Sequence, residues 1–175
     1  MKLVNHHHRD FAYPLELITE KLSSLGSDND LLWPHQYWPR MKFDKTPQVS
    51  AVGGHGLIPY RISIYQPQQQ IRFQFEGLPG IKGYHEFVVT NVSQHCCRLS
   101  HDVQAELSLI GMRNWYLLIA PLHNALIEDL LDQLESELSG ACVQQKWSLR
   151  VRLMRRLFLV NKPSASTSQA RANHA

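Results

Sequence analysis

The sequence predicts an α+β domain in which one long amphipathic helix, late in the chain, lies on an antiparallel sheet. Two observations carry this. From Trp115 to Leu138, Ile119, Leu122, Leu126, Ile127, Leu130, Leu131, Leu134 and Leu138 share one broad stripe of a helical wheel. Asn124, Glu128, Asp129, Asp132, Glu135 and Ser136 fall on the opposite side. Between residues 58 and 107 the period is two instead. It is clearest where Cys97, Leu99, His101, Val103, Ala105 and Leu107 alternate with Arg98, Ser100, Asp102, Gln104 and Glu106. So wide a stripe needs an equally wide apolar surface, which the packed face of the sheet supplies.

The elements follow in order. Lys2 to Ala12 reads as a strand, in which His6, His7 and His8 alternate faces and so do not converge on one metal ion. Pro14 opens a short helix with Leu15, Ile18, Leu22 and Leu25 at helical spacing, ended by Gly26. Ser27 to Arg40 reads as a second short helical turn and loop carrying Trp33, Tyr37 and Trp38. Met41 to Asp44 is a short strand, and Ser50 to Gly56 a flexible glycine-rich turn or bulge. With no helix after them, these glycines make no phosphate loop. Ile58, Tyr60, Ile62 and Ile64 alternate with Arg61, Ser63 and Tyr65, and Pro67 ends that strand. Ile71, Phe73 and Phe75 form the next, and Gly77 to Gly80 turns the chain. His85, Phe87 and Val89 then share a face. In the long helix, Pro121 either occupies the first turn or kinks it, and Gly140 is the stop. Lys146 to Val160 mixes apolar residues with Arg150, Arg152, Arg155 and Arg156. It reads as a basic helix, although strand alternation over Trp147 to Leu153 competes. Asn161 to Ala175 is Ser- and Ala-rich and is expected to be disordered. The expected division is a domain over 1–140, a basic amphipathic segment over 141–160 and a tail over 161–175.

At 175 residues, with 43% apolar and 19% charged residues, the chain is long enough for one substantial core. No run approaches the roughly 20 apolar residues that cross a bilayer, and no apolar signal core opens the chain, so a cytoplasmic protein is expected. Cys96, Cys97 and Cys142 are odd in number and two are adjacent, which argues against a disulfide framework. Charge is unevenly spread. Residues 141–175 hold 7 of the 18 Lys and Arg and none of the 15 acids, a net of +7 that leaves −4 for residues 1–140.

Several segments resemble the START-like superfamily, also described as SRPBCC or polyketide cyclase/dehydrase and lipid transport. They are Trp38-Pro39-Arg40-Met41-Lys42-Phe43-Asp44, Gly53-Gly54-His55-Gly56-Leu57-Ile58-Pro59-Tyr60, Gly83-Tyr84-His85-Glu86-Phe87, and the helix opening Pro121 to Asp132. The resemblance covers roughly residues 3 to 140 and is closest to a bacterial branch. It implies a helix-grip fold: a curved antiparallel β-sheet wrapped around a long C-terminal α-helix, with two short helices after the first strand. It further implies an apolar ligand held between sheet and helix.

His85 and His101 lie on the apolar face of neighbouring strands, and His123 faces the same interior from the helix. If Asn91 pairs with His95, His85 stands opposite His101. If Val92 pairs with Cys96, His101 stands opposite Phe87 and diagonal to His85. The three read as polar groups of one cavity, with Trp33, Trp38, Tyr60, Phe73 and Trp115 as apolar walls and Trp33 and Trp38 placed for a gate. The competing readings are hydrogen-bonded core histidines, general acid–base groups and a three-histidine zinc site, the last unsupported by spacing. No nucleophile stands out, and no metal or cofactor is implied. The expected ligand-binding set is His85, His101, His123, Tyr60, Trp38 and Trp115. The expected function is binding of a small, largely apolar molecule such as a lipid, polyketide or quinone. A cyclase or dehydratase using the histidines, and a membrane-associated lipid carrier, are the alternatives. The basic segment over 146–160 reads as a helix packed back on the domain or as a contact for an anionic membrane surface. Four arginines with no binding motif make nucleic acid a weak third choice.

Overall fold

The computed structural model describes residues 1–141 and 146–158; Cys142 and the 161–175 tail lie outside them. Seven strands form one antiparallel sheet: β1 (Lys2–Phe11), β2 (Lys42–Phe43), β3 (Val52–His55), β4 (Ile58–Gln66), β5 (Gln70–Phe75), β6 (Ile81–Ser93) and β7 (Cys96–Leu107). Their order in space is β1-β7-β6-β5-β4-β3-β2. The first strand therefore crosses over to pair with the last, Lys2 opposite Glu106 through Phe11 opposite Cys97. Of the two registers open for the β6–β7 hairpin, the diagonal one forms: Phe87 faces His101 and His85 faces Val103, with a shift between Asn91 and Ser93.

The helix begins earlier than the stripe suggests. Ser108 caps it by accepting a hydrogen bond from the Gly111 N–H (3.2 Å). Helical backbone then runs through α2 (Leu109–Asn114), a π-helical turn (Trp115–Ile119) and α3 (Ala120–Ser139), with Gly140 in the left-handed conformation that ends it. Pro121 sits inside this helix, just after the π turn, and its missing N–H leaves carbonyls of that turn without a helical partner. α4 (Leu149–Phe158) is helical, so the competing strand reading fails, and it packs on α3 with Val151 and Met154 buried.

Three further expectations are corrected. One short helix, α1 (Leu15–Ser24), follows β1 where two were expected. Ser27 to Arg40 forms turns, organised by Asp30, whose carboxylate accepts the N–H groups of Gly26, Leu32 and Trp33. The Ser50–Gly56 stretch contains a paired strand instead of a flexible turn. Its glycines are required by proximity, since a Cβ on Gly53 would stand 2.0 Å from the Lys42 carbonyl oxygen and one on Gly54 2.3 Å from that of Ile58. A register shift between Ile62 and Ile64 breaks the β4 alternation and brings Tyr65 against the core.

The core falls into two clusters. The larger gathers Phe87, Val89, Leu99, Leu126, Ile127 and Leu130 with Ile18 and Leu22 of α1. The smaller joins Leu3, Ile81, Val103, Ala105, Leu107 and Trp115. On β7 the order is Leu99, His101, Val103; on the long helix it is Ile119, His123, Leu126. The histidines therefore stand where one cluster gives way to the other.

Candidate functional site

A cavity of about 360 Å³ opens at this junction, between the sheet and the π turn with the first half of α3. Alternation on β6 and β7 points His85 and His101 inward, and the helical repeat brings His123 to meet them. His85 Nδ1 and His101 Nε2 are 3.2 Å apart, and the His101 and His123 rings are 4.9 Å apart. All three line the cavity, together with Trp33, Trp38 and Trp115. Tyr60 does not line it. Its side chain is fully buried behind the wall, with its hydroxyl 3.1 Å from His55 Nδ1. Phe73 is likewise outside the lining, stacked on His85 at 4.8 Å.

Trp33 and Trp38 stand in the cavity wall with both indole N–H groups bonded. Both are buried, the Trp33 indole N–H donating to the Pro39 carbonyl (2.9 Å) and that of Trp38 to the Asp129 carboxylate (2.7 Å). Trp147, ahead of α4, donates to the same carboxylate (2.8 Å). Burial raises the Asp129 carboxyl, against the pull of these two indoles and of Arg155.

Two polar wall residues escaped the sequence reading. His55 stands at the end of β3, with its ring 6.4 Å from His85, and Asn114 closes α2. Reading Ser50–Gly56 as a strand and starting the helix at Leu109 would have exposed both.

The imidazoles are poorly satisfied. His85 Nε2, His101 Nδ1 and both nitrogens of His123 are buried without a hydrogen-bond partner, although His123 still presents ring surface to the cavity. Burial lowers His55 to about 4 and His123 to about 3. For His123 that value includes the neighbouring His7, which lowers it with burial, and the Asn124 side chain, which opposes them without standing in hydrogen-bond geometry to either ring nitrogen. Burial also drives His85 and His101 well below the ordinary histidine value, and their histidine neighbours reinforce it. At neutral pH the cluster is therefore uncharged. In a neutral His85–His101 contact one ring donates and the other accepts, so the two free nitrogens comprise one acceptor and one donor whichever way the tautomers fall. Among the described residues no group of three or more His, Cys, Asp or Glu is arranged to hold a metal ion.

The sheet order, the crossover of β1 and the single long helix define a START-like helix-grip fold. Norcoclaurine synthase from Thalictrum flavum shares it, at 11% identity and a TM-score of 0.62 over 81% of this chain and 88% of that one. CalU16 from Micromonospora echinospora follows at 10% identity and 0.55, over 90% and 94%. A protein from Nitrosospira multiformis matches at 13% and 0.59, over 86% and 99%. No protein-family model matches the chain, and no curated protein matches it significantly.

Proposed function

We propose that the protein binds a small, largely apolar molecule, of lipid, polyketide or quinone type, carrying a hydrogen-bonding hydroxyl or carbonyl. The observation behind this is a largely apolar cavity wall that includes His85, His101 and His123, whose rings carry buried nitrogens without a partner. Each such nitrogen costs about 1–3 kcal/mol, and a ligand oxygen that pairs with it recovers that cost. Apolar walls supply affinity and the neutral donor–acceptor pair supplies orientation. A charged ligand head would find no counter-charge among the cavity histidines at neutral pH.

Native mass spectrometry of the freshly purified chain, with organic extraction of retained material, identifies the class of ligand. A panel of fatty acids, quinones and hydroxylated aromatics is then scored by thermal shift. Binding that His101→Leu weakens supports the reading; ligands that bind equally well to His101→Leu and His123→Leu would overturn it.

The His85–His101 contact favours one second reading, proton transfer of cyclase or dehydratase type. A neighbour of the same fold, norcoclaurine synthase, is a synthase with a structure holding dopamine and hydroxybenzaldehyde. That reading requires a rate whose pH profile is broken by His85→Ala. Turnover unchanged by the substitution excludes it.

A further inference from the structure

We propose that the face formed by the Leu109–Ile119 stretch and α4 docks on the surface of a bilayer containing anionic lipid, presenting the cavity mouth to it. This rests on the reading of the cavity as a carrier site for an apolar molecule.

Four observations converge. α4 turns Val151 and Met154 inward, but Leu149, Leu153 and Leu157, at successive spacings of four, are 79%, 59% and 68% exposed. Arg152 and Arg156 lie exposed beside them. The helix stretch next to it exposes Leu109, Ile110, Tyr116 and Leu117. The two patches are joined, because Arg150 donates to the Leu117 carbonyl (2.8 Å) and the Tyr116 carbonyl (3.2 Å). The patch also reaches the cavity: Leu118 lines it while 43% exposed, and Leu57, on the β3–β4 turn, lines it while 77% exposed.

Charge identifies the occupant. Neither Ser108–Ala120 nor Lys146–Phe158 contains an acidic residue, whereas residues 1–140 carry a net −4. The exposed charges that these two stretches contribute include Arg113, Arg152 and Arg156, with Arg150 between them, all of one sign. A second copy docking through the same face would set these arginines against each other. An anionic bilayer accepts both components, arginines at the headgroups and leucines below them. An apolar ligand partitions into that phase, so loading would need no transit through water.

The test uses the full chain and co-sedimentation with vesicles of phosphatidylcholine alone or with phosphatidylglycerol added. The expected result is binding to the anionic vesicles that weakens with salt. Arg152→Glu/Arg156→Glu should lower it by about tenfold or more, and Leu153→Glu/Leu157→Glu should abolish it. Circular dichroism and melting temperature confirm that both variants fold, and ligand thermal shifts should be retained in both. Absence of binding to anionic vesicles overturns the proposal. So does binding that both variants preserve, or sedimentation showing a dimer that Leu153→Glu/Leu157→Glu dissociates. Vesicle binding by a chain whose cavity takes no ligand sinks the carrier reading alone. Ligand binding without vesicle binding sinks the docking alone.

Discussion

Asp129 and Asp132, in the second half of the long helix, are buried and fully engaged. The Asp129 carboxylate accepts two indole N–H groups, and Asp132 accepts from Arg9 of β1 at 2.7 Å. His123, less than two turns before Asp129, buries both ring nitrogens and pairs neither. Both halves bury polar groups, yet only the second completes them. A folded chain rarely leaves buried polar atoms unpaired, because each forfeits its hydration without return. The second half of the helix holds the structure together. The first half keeps polar capacity in reserve, which is what the proposed binding of a ligand oxygen requires.

The largest expected effect is in acid. The unfolded chain takes up protons below about pH 6.5, while the folded chain refuses them down to about pH 4 at His55 and about pH 3 at His123. The sign follows: stability is full above about pH 6.5 and is lost as pH falls towards those values. Each such group contributes up to about 1.4 kcal/mol per pH unit in that window. Urea titrations at stepped pH should show stability level above neutrality and falling steeply below 6. A flat profile to pH 4 would mean that the imidazoles are solvated.

In the second half the expected effect comes from truncation. Arg9 binds Asp132 (2.7 Å), Glu135 (2.8 Å) and Glu128 (3.2 Å), fastening the first strand over the acidic side of the helix. Arg9→Ala leaves Asp132 buried without this cation, at a cost of about 3 kcal/mol. Chemical denaturation reads it, and a loss below 1 kcal/mol would show the cluster to be solvent-screened.

The first half should respond with the opposite sign. His123→Leu removes two unpartnered nitrogens at similar volume, and is expected to stabilise the empty protein by about 1 kcal/mol while weakening ligand binding. It should also flatten the acid slope by roughly one proton. Destabilisation on this substitution would mean that His123 is a satisfied core residue.

Much of this arrangement was legible in the sequence. Strict alternation over Cys97–Leu107 fixes the inward face of β7, and with it His101. The stripe from Ile119 to Leu138 fixes the inward face of the helix, and with it His123. Other features left no such trace. Gly53 and Gly54 carry no side chain to alternate, so a strand demanded by backbone proximity reads as a flexible turn and hides His55. Gly111 and Asn114 are weak helix formers ahead of a proline, so the helix appears to start six residues late, at the cost of Asn114. A helical wheel assigns Asp129 and Asp132 to water. Three long-range contacts cover them: the crossover of β1 through Arg9, the turn that carries Trp38, and Trp147 ahead of α4.

The smallest expected effect concerns the π turn itself. Regular helix would pair the Leu117 carbonyl with the amide four residues on, and a π repeat would pair that of Tyr116 with the amide five on. Both amides belong to Pro121, which has none. Arg150 of α4 donates to these two carbonyls instead. Arg150→Ala is expected to cost about 1 kcal/mol or less, since Tyr116 and Leu117 lie at the surface, where water substitutes. The discriminating measurement is a double-mutant cycle with Pro121→Ala. Restoring the amide gives one carbonyl an internal partner, so Arg150→Ala should cost less in that background. Equal costs in the two backgrounds would mean that Arg150 holds α4 through packing alone, and that the π turn tolerates its open carbonyls unaided.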